Sequence, residues 1–277
     1  MNAITPITAA PDYKAIKAKQ NAAWSSGDYA RIGVTLQITG EELAEAAETR
    51  PNTNVLDVAA GNGNATLAFA RRFANVTSTD YVGHLLESGR ARAEAEGLDV
   101  DYMVADAENL PFSDDSFDMT ISTFGVMFAP NQIKSAAEMM RVVKPGGKVA
   151  MANWTPESFI GALFKTLGKH VPPPAGVKSP ATWGNEQWIN ETFGGSANEI
   201  VFIRKMFNFR YPSPQAFVDI FKTYYGPVHK AFIAVGEAGE AALEADILAT
   251  IADYNTAMDG TMMVPSEYAE IVITKKM

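Results

Sequence analysis

Residues Val55 to Gly63 read VLDVAAGNG. Val55, Leu56 and Val58 form a short apolar run of the kind found in a buried strand. Ala59-Ala60-Gly61-Asn62-Gly63 then turns sharply, and Ala65 to Phe73 (ATLAFARRF) spaces its apolar residues as a helix does. Small residues in such a turn let the backbone approach a ligand closely, and the helix N-terminus offers unpaired N–H groups. Asp57, at the end of the strand, adds a carboxylate to the same place. A strand, a tight glycine turn and a helix make a cradle suited to a nucleotide.

Toward the C-terminus the chain keeps alternating. Asn75 to Thr79 is predicted as a second strand leading into Asp80, and Leu85 to Glu96 as a helix. Val100 to Val104 is a third strand ending at Asp106, and Phe117 to Ser122 a fourth. A helix around Gln132–Val142, a turn at Pro145-Gly146-Gly147 and a fifth strand from Lys148 to Asn153 follow. Strands separated by helices of about 10 residues mean βαβ units and a parallel sheet. Right-handed crossovers place the ligand at the carboxyl ends of those strands.

On the other side, residues 1–11 are expected to fray. A helical arm starts near Asp12, runs to Trp24 and breaks at Ser25-Ser26-Gly27-Asp28. It resumes from Tyr29 to Leu36 and from Glu41 to Glu48, and Pro51 ends it. Beyond Trp154 the alternation stops. Helices are predicted over Ser158–Lys169, Phe217–Tyr225 and Ala241–Met258, with strands over Glu199–Tyr211 and Tyr268–Thr274. No repeat or long linker divides the chain. It reads as one domain: a helical arm over 12–50, a ligand-binding core over 51–155, and cap insertions plus the last two strands over 156–277.

Composition narrows the classes. A chain of 277 residues buries roughly 75% of its unfolded surface, so a full core is available. A formal charge of −9 argues against a nucleic-acid partner, which needs clustered Lys and Arg. There are no cysteines, which excludes disulfides, Cys-ligated metals and thiol nucleophiles. His84, His170 and His229 lie too far apart for a His-rich metal site. The first residues lack a continuous apolar segment, and no run of about 18 apolar residues occurs. A soluble, cytoplasmic protein without membrane insertion is expected; nothing in the sequence indicates an oligomeric state.

The acids at the strand ends discriminate between nucleotides. A carboxylate at Asp80, 23 positions after Asp57, can accept from both ribose hydroxyls, which NAD and S-adenosylmethionine share. Asp106, followed by the small Ala107, can take an adenine amino group. A dinucleotide fingerprint wants a third small residue where this chain has Thr66. Two other readings stay open on the residues alone: a nicotinamide-dependent oxidoreductase, and a non-catalytic protein that binds S-adenosylmethionine.

VLDVAAGNG, the Asp80 strand end, DAENLPFSDDSFD (Asp106 to Asp118) and KPGGKVAMANW (Lys144 to Trp154) together resemble class I S-adenosylmethionine-dependent methyltransferases. They are most similar to the type 11 group that includes the ubiquinone/menaquinone-biosynthesis enzymes. Ala59 departs from the usual first glycine of that family. The resemblance implies a Rossmann-like, doubly wound α/β fold with a seven-stranded sheet, the last strand antiparallel, and helical cap insertions. It implies methyl transfer from S-adenosylmethionine to a small molecule.

Carried over by position, the resemblance puts Asp57 at the methionine ammonium, directly or through water. Ala59, Ala60, Gly61 and Gly63 then line the methionine and ribose. Asp80 takes the ribose hydroxyls and Tyr81 packs on adenine, with Leu85 nearby. Asp106, Ala107 and Glu108 meet the adenine edge, and Thr123 and Phe124 flank the transferred methyl.

Substrate choice then falls to the added segments. Trp24 and Tyr29 of the arm are expected over the methionine end, or else anchor the arm on the sheet as ordinary buried aromatics. The cap is rich in rings, among them Phe159, Trp183, Phe217, Phe221 and Tyr225, which favours an apolar or aromatic acceptor. If the acceptor must lose a proton, His229 and Tyr225 in YYGPVH are the first candidates for the base and His170 the second.

Overall fold

In the computed structural model, which describes residues 11–277, the arm comprises α1 (Tyr13–Ser26), α2 (Ala30–Gly33), a 3-10 turn (Val34–Leu36) and α3 (Gln37–Ala46). Asp12 starts α1 by accepting the Ala15 N–H, and Gly27 ends it. Glu48, in left-handed conformation (φ 55°), stops the chain just past α3, ahead of Pro51. The expectation for residues 1–10 lies outside the described residues.

The core follows as β1 (Asn54–Val58), α4 (Asn64–Ala70), β2 (Asn75–Asp80), α5 (Gly83–Glu96), β3 (Val100–Val104), β4 (Phe117–Thr123), α6 (Gln132–Val142) and β5 (Val143–Trp154). The remainder holds α7 (Phe159–His170), a 3-10 turn (Pro180–Gly184), α8 (Glu186–Phe193), β6 (Ala197–Tyr211), α9 (Pro214–Tyr224), α10 (Gly226–Tyr254) and β7 (Met262–Lys275). The seven strands lie in the order β3-β2-β1-β4-β5-β7-β6. The first five run parallel, and β7 pairs antiparallel with β5 and β6. This is the Rossmann-like sheet expected. The chain winds outward from β1 to β3 and then returns to β4 on the other side. Such a reversal opens a crevice at the carboxyl ends of the two central strands.

β7 begins at Met262 rather than Tyr268, and three further elements depart from the sequence pattern. Pro145-Gly146-Gly147 lies inside β5 rather than before it. The pairing jumps from Phe117–Val143 to Met119–Lys148, and Gly146 (φ 74°) absorbs the extra residues as a bulge. The segment around Trp188 is a helix, α8, capped by Asn185, which accepts from the Trp188 N–H. The last cap helix starts at Gly226 rather than Ala241 and ends at Tyr254 rather than Met258. Gly236, at φ 61°, kinks it and hides the continuity of the first part. Among the described residues no helix is long and apolar enough to cross a membrane.

α4 is buried along its whole length between the sheet and α3, so the turn preceding it is pinned from behind. From the front, Gly125 presses on the same turn: a Cβ there would overlap the Ala59 carbonyl oxygen. Gly125→Ala is therefore expected to destabilise the fold by about 1–3 kcal/mol, as overpacking does. Urea unfolding measures this, and wild-type stability in that variant would contradict the contact between the two turns.

Candidate active site

The turn after β1 is built from left-handed residues: Ala59 at φ 55°, Gly61 at φ 57° and Gly63 at φ 82°. Ala59 carries a Cβ into a conformation that costs an L-residue roughly 1–2 kcal/mol. Hydrogen bonds hold it there. The Ala60 N–H donates to the Thr79 carbonyl (2.9 Å) and the Gly63 N–H to the Ala60 carbonyl (3.0 Å). The Gly61 N–H donates to Asp80 Oδ2 (2.9 Å), while Asp80 Oδ1 accepts from the Val82 N–H (2.8 Å). Burial pushes the Asp80 carboxyl up to about 6, against the pull of those backbone donors.

Asp57 stands behind the turn. Its Oδ2 accepts from Thr66 Oγ1 (2.6 Å), Thr66 pairs with Ser78 (2.9 Å), and Oδ1 has no partner. Burial drives its carboxyl up to about 7; the Thr66 bond opposes this and Asp80 adds to it. The residue where a dinucleotide fold wants a small side chain is thus the hydroxyl that holds Asp57.

In front of the turn lies a crevice of about 780 Å³, its open mouth included. Ala59, Ala60, Gly61 and Asp80 form its floor, and Tyr81, Leu85, Asp106, Ala107 and Glu108 one end. Trp24, Tyr29, Thr123 and Phe124 line the other. Two expected residues, Asp57 and Gly63, are not on its wall: Asp57 because its side chain turns under the bend toward α4, Gly63 because it packs toward Thr66 and Gly89.

At the first end Asp106 does not present a free carboxylate. Its Oδ1 accepts from the Glu108 N–H (2.9 Å) and its Oδ2 from Lys17 Nζ (2.6 Å). Lys17 also reaches Glu108 Oε2 (3.0 Å), whose other oxygen accepts from the Asn131 N–H. Burial works against the Lys17 charge, yet its two carboxylate partners hold it above the ordinary lysine value. Sequence reading missed Lys17 and Gln20. Their spacing from Trp24, at i, i+3 and i+7 along α1, was the available signal of one helix face. The Gly125–Pro130 segment, which supplies Val126, Phe128, Ala129 and Pro130, was missed because nothing in its pattern marks a ligand.

The second end is aromatic. Phe124, left-handed at φ 56°, donates its N–H to the Ala152 carbonyl (2.8 Å), and its ring stacks on Trp154 at 4.1 Å. Trp24 meets Tyr29, Phe128 and Tyr225 edge to face at 5.1–5.8 Å. Tyr29, Phe124 and Phe128 also pack into an aromatic cluster with Trp154, Phe209, Phe221 and Tyr225 and with Ile32, Leu36 and Ile160, which leaves only about 10 Å³ free. Tyr225 lies in this packed cluster and not on the crevice wall, and burial raises its hydroxyl well above the ordinary value and keeps it protonated. Neither histidine named as a base reaches the crevice or this cluster. His229 Nδ1 hydrogen-bonds the Lys222 carbonyl (2.8 Å) on the cap, and His170 pairs with Asp246 (2.8 Å). Among the described residues no cluster is placed to hold a metal ion.

Residues 56–151 match a family model described as a methyltransferase domain. An uncharacterized protein of Mycobacterium tuberculosis (strain ATCC 25618 / H37Rv) is 37% identical over 242 residues, 86% of this chain and 88% of its own. A demethylmenaquinone methyltransferase of Clavibacter sepedonicus is 34% identical over 135 residues, 47% of this chain and 55% of that enzyme. In fold, the YcgJ protein of Bacillus subtilis superposes with a TM-score of 0.58 at 20% identity, covering 86% of this chain and 99% of that one.

The raised Asp57 carboxyl has a measurable signature. An unfolded aspartate gives up its proton near about pH 4, whereas native Asp57 keeps its own to about 7. Between those values the native state binds the extra proton, so stability falls as pH rises, by about 1.4 kcal/mol per pH unit for one such group. Asp57→Asn is expected to remove that part of the slope in urea unfolding between about pH 4 and 7; an unchanged slope would contradict the buried carboxyl.

Proposed function

The chain belongs to the S-adenosylmethionine-dependent methyltransferases, and on that premise we propose that it methylates a small apolar or aromatic metabolite by in-line displacement. The observation that carries this reading is the make-up of the crevice itself, which joins a floor of small residues beside Asp80 to an end lined by the rings of Trp24, Tyr29, Phe124 and Phe128. The floor suits an adenosyl cofactor, and the aromatic end of the same crevice suits an apolar ring beside it.

The residues present fit the cofactor. Left-handed backbone at Ala59 and Gly61 brings the turn to the crevice floor without side-chain bulk. Asp80 uses one lone pair of each oxygen on backbone N–H groups, leaving the others for two ribose hydroxyls. Tyr81 and Leu85 offer apolar faces for adenine, and Asp106, Ala107 and Glu108 its edge. Asp57 acts at one remove, bracing the turn through Thr66. When bound, the cofactor supplies a sulfonium-borne methyl group open to nucleophilic attack.

The protein's own contribution is placement. The faces of Tyr29 and Phe124 stabilise a neighbouring cation by ~0.5–2 kcal/mol. Holding the acceptor about 3–3.5 Å from the methyl, in line with the breaking bond, contributes up to roughly 7–11 kcal/mol. The Phe124–Trp154 stack and the buried strand ends keep that geometry rigid and exclude water.

Titration calorimetry with S-adenosylhomocysteine tests the cofactor half directly. Asp80→Asn is expected to weaken binding by about 1.5–3 kcal/mol, because it removes charge-assisted hydrogen bonds. That corresponds to roughly 10- to 150-fold in Kd. Near-normal affinity in this variant would contradict the assignment of Asp80. Turnover against a panel of aromatic and aliphatic acceptors tests the other half.

A further inference from the structure

β6 is the free edge of the sheet, and it is long for a strand in that position. Its fifteen residues, Ala197–Tyr211, include no proline, and its pairing with β7 shifts register only between Ala197 and Glu199. An open edge of that length offers a row of unpaired N–H and C=O groups, which proteins ordinarily shorten, bend or cover. α9 covers the last residues, where Phe209 and Tyr211 pack on Phe217 and Phe221. From Glu199 to Met206 every residue is exposed or half-buried, and Val201, Ile203 and Met206 are 40%, 46% and 63% exposed.

The charges along this edge are uneven. β6 carries one acid, Glu199, and three bases, Arg204, Lys205 and Arg210. Arg204 pairs with Glu267, and Lys205 with Glu42 and Glu270, while Glu199 has no ion-pair partner among the described residues. Two acceptors leave Lys205 a third N–H to donate. On the face toward α3, Glu199, Val201, Ile203 and Lys205 line an open groove. The opposite edge of the sheet differs: β3 has five residues, Asp101 among them and no base. A second copy of β3 offers Asp101 no partner.

Two copies of one edge strand pair antiparallel only about a two-fold axis perpendicular to the sheet. That axis keeps the same face of both sheets on the same side. Side chains alternate between faces, so an odd-numbered residue can stand opposite only another odd-numbered one. Parity therefore excludes Arg204 and Arg210 as partners for Glu199. Lys205 remains, and it fixes a single register: Glu199 opposite Lys205, Val201 opposite Ile203, and Phe202 on the axis opposite itself. No two like charges stand opposite one another in this register, and the exposed apolar residues of the groove face meet each other.

We propose that two copies of the chain associate through β6 about this axis, which joins their sheets into one continuous sheet. The partner strand takes up the outward backbone groups from Asn198 to Met206. Val201 and Ile203 of each copy cover those of the other and leave water, which supplies the driving force. The two Glu199–Lys205 pairs on either side of them select the register. The occupant of this edge is a second copy because the strand's one unpaired acid and its apolar residues are complementary to the strand itself.

Sedimentation velocity on the full chain, over about 1 to 100 μM, tests this. The mass is expected to approach twice the 29.9 kDa of one chain as concentration rises. Glu199→Lys sets a lysine against Lys205 at both symmetry-related positions and is expected to raise the dimer Kd by about tenfold. The same change makes the net charge of −9 less negative by two, so association would strengthen if overall repulsion between copies were in control. Glu237→Lys, an identical charge change at an exposed position of α10, is expected to leave the Kd within about twofold. Glu199 is exposed, so the circular dichroism of its variant should match that of the wild type. A monomer throughout the range would overturn the inference. So would a dimer that Glu199→Lys leaves intact, or one that Glu237→Lys weakens equally.

Discussion

A buried carboxylate on one strand holds the bend that follows another. Asp80, at the tip of β2, accepts the Gly61 N–H of the turn after β1 and the Val82 N–H of its own strand end. The turn needs such a hold because three of its residues are left-handed, one of them an alanine. Thr79 accepts a further amide from Ala60, and Thr66 binds Asp57 from beneath. The floor of the crevice is thus set by polar groups that are expensive to bury and are almost all satisfied. What they cannot satisfy internally on the crevice side, the spare lone pairs of Asp80, marks the region where a polar ligand lowers the free energy.

The helical arm is fitted to this floor rather than laid over it. Gly226, at the start of α10, approaches Trp24 so closely that a Cβ would lie 2.9 Å from its ring, and Gly27 lies equally tight on the Tyr224 carbonyl. The Tyr29 ring covers Gly61. Trp24 and Tyr29 therefore anchor the arm on the core and also line the crevice. The same packing divides the interior in two. Polar groups of the sheet face the crevice on one side of Tyr29 and Phe124, and Phe209 of β6, Phe221 of α9 and Tyr225 pack as core on the other.

Local signals carried the cradle. VLDVAAGNG has the strand, the small residues and the helix in one stretch, and Asp80 and Asp106 declare themselves as acids at strand ends. The sheet order was not legible this way. β7 comes last in the chain but pairs between β5 and β6, an arrangement set by non-local burial of Tyr268 to Ile273 and known beforehand only through the family resemblance. Glycine hid the start of α10, since Gly236 and Gly239 read as breaks where the backbone merely kinks. Lys17 escaped notice because a lysine on an arm helix looks like a solvated face until the fold sets it 2.6 Å from Asp106. His229 misled for the opposite reason: a histidine near Tyr225 in sequence is tied instead to the Lys222 carbonyl, seven residues back on α9.

The central claim is that the turn held by Asp80 is the floor of an S-adenosylmethionine site. A crystal structure of the complex with S-adenosylhomocysteine tests it most directly. The ribose hydroxyls should lie within hydrogen-bonding distance of the Asp80 carboxylate, with the sulfur against Tyr29 and Phe124. A ligand bound elsewhere, or a crevice left empty at saturating concentration, would contradict the account.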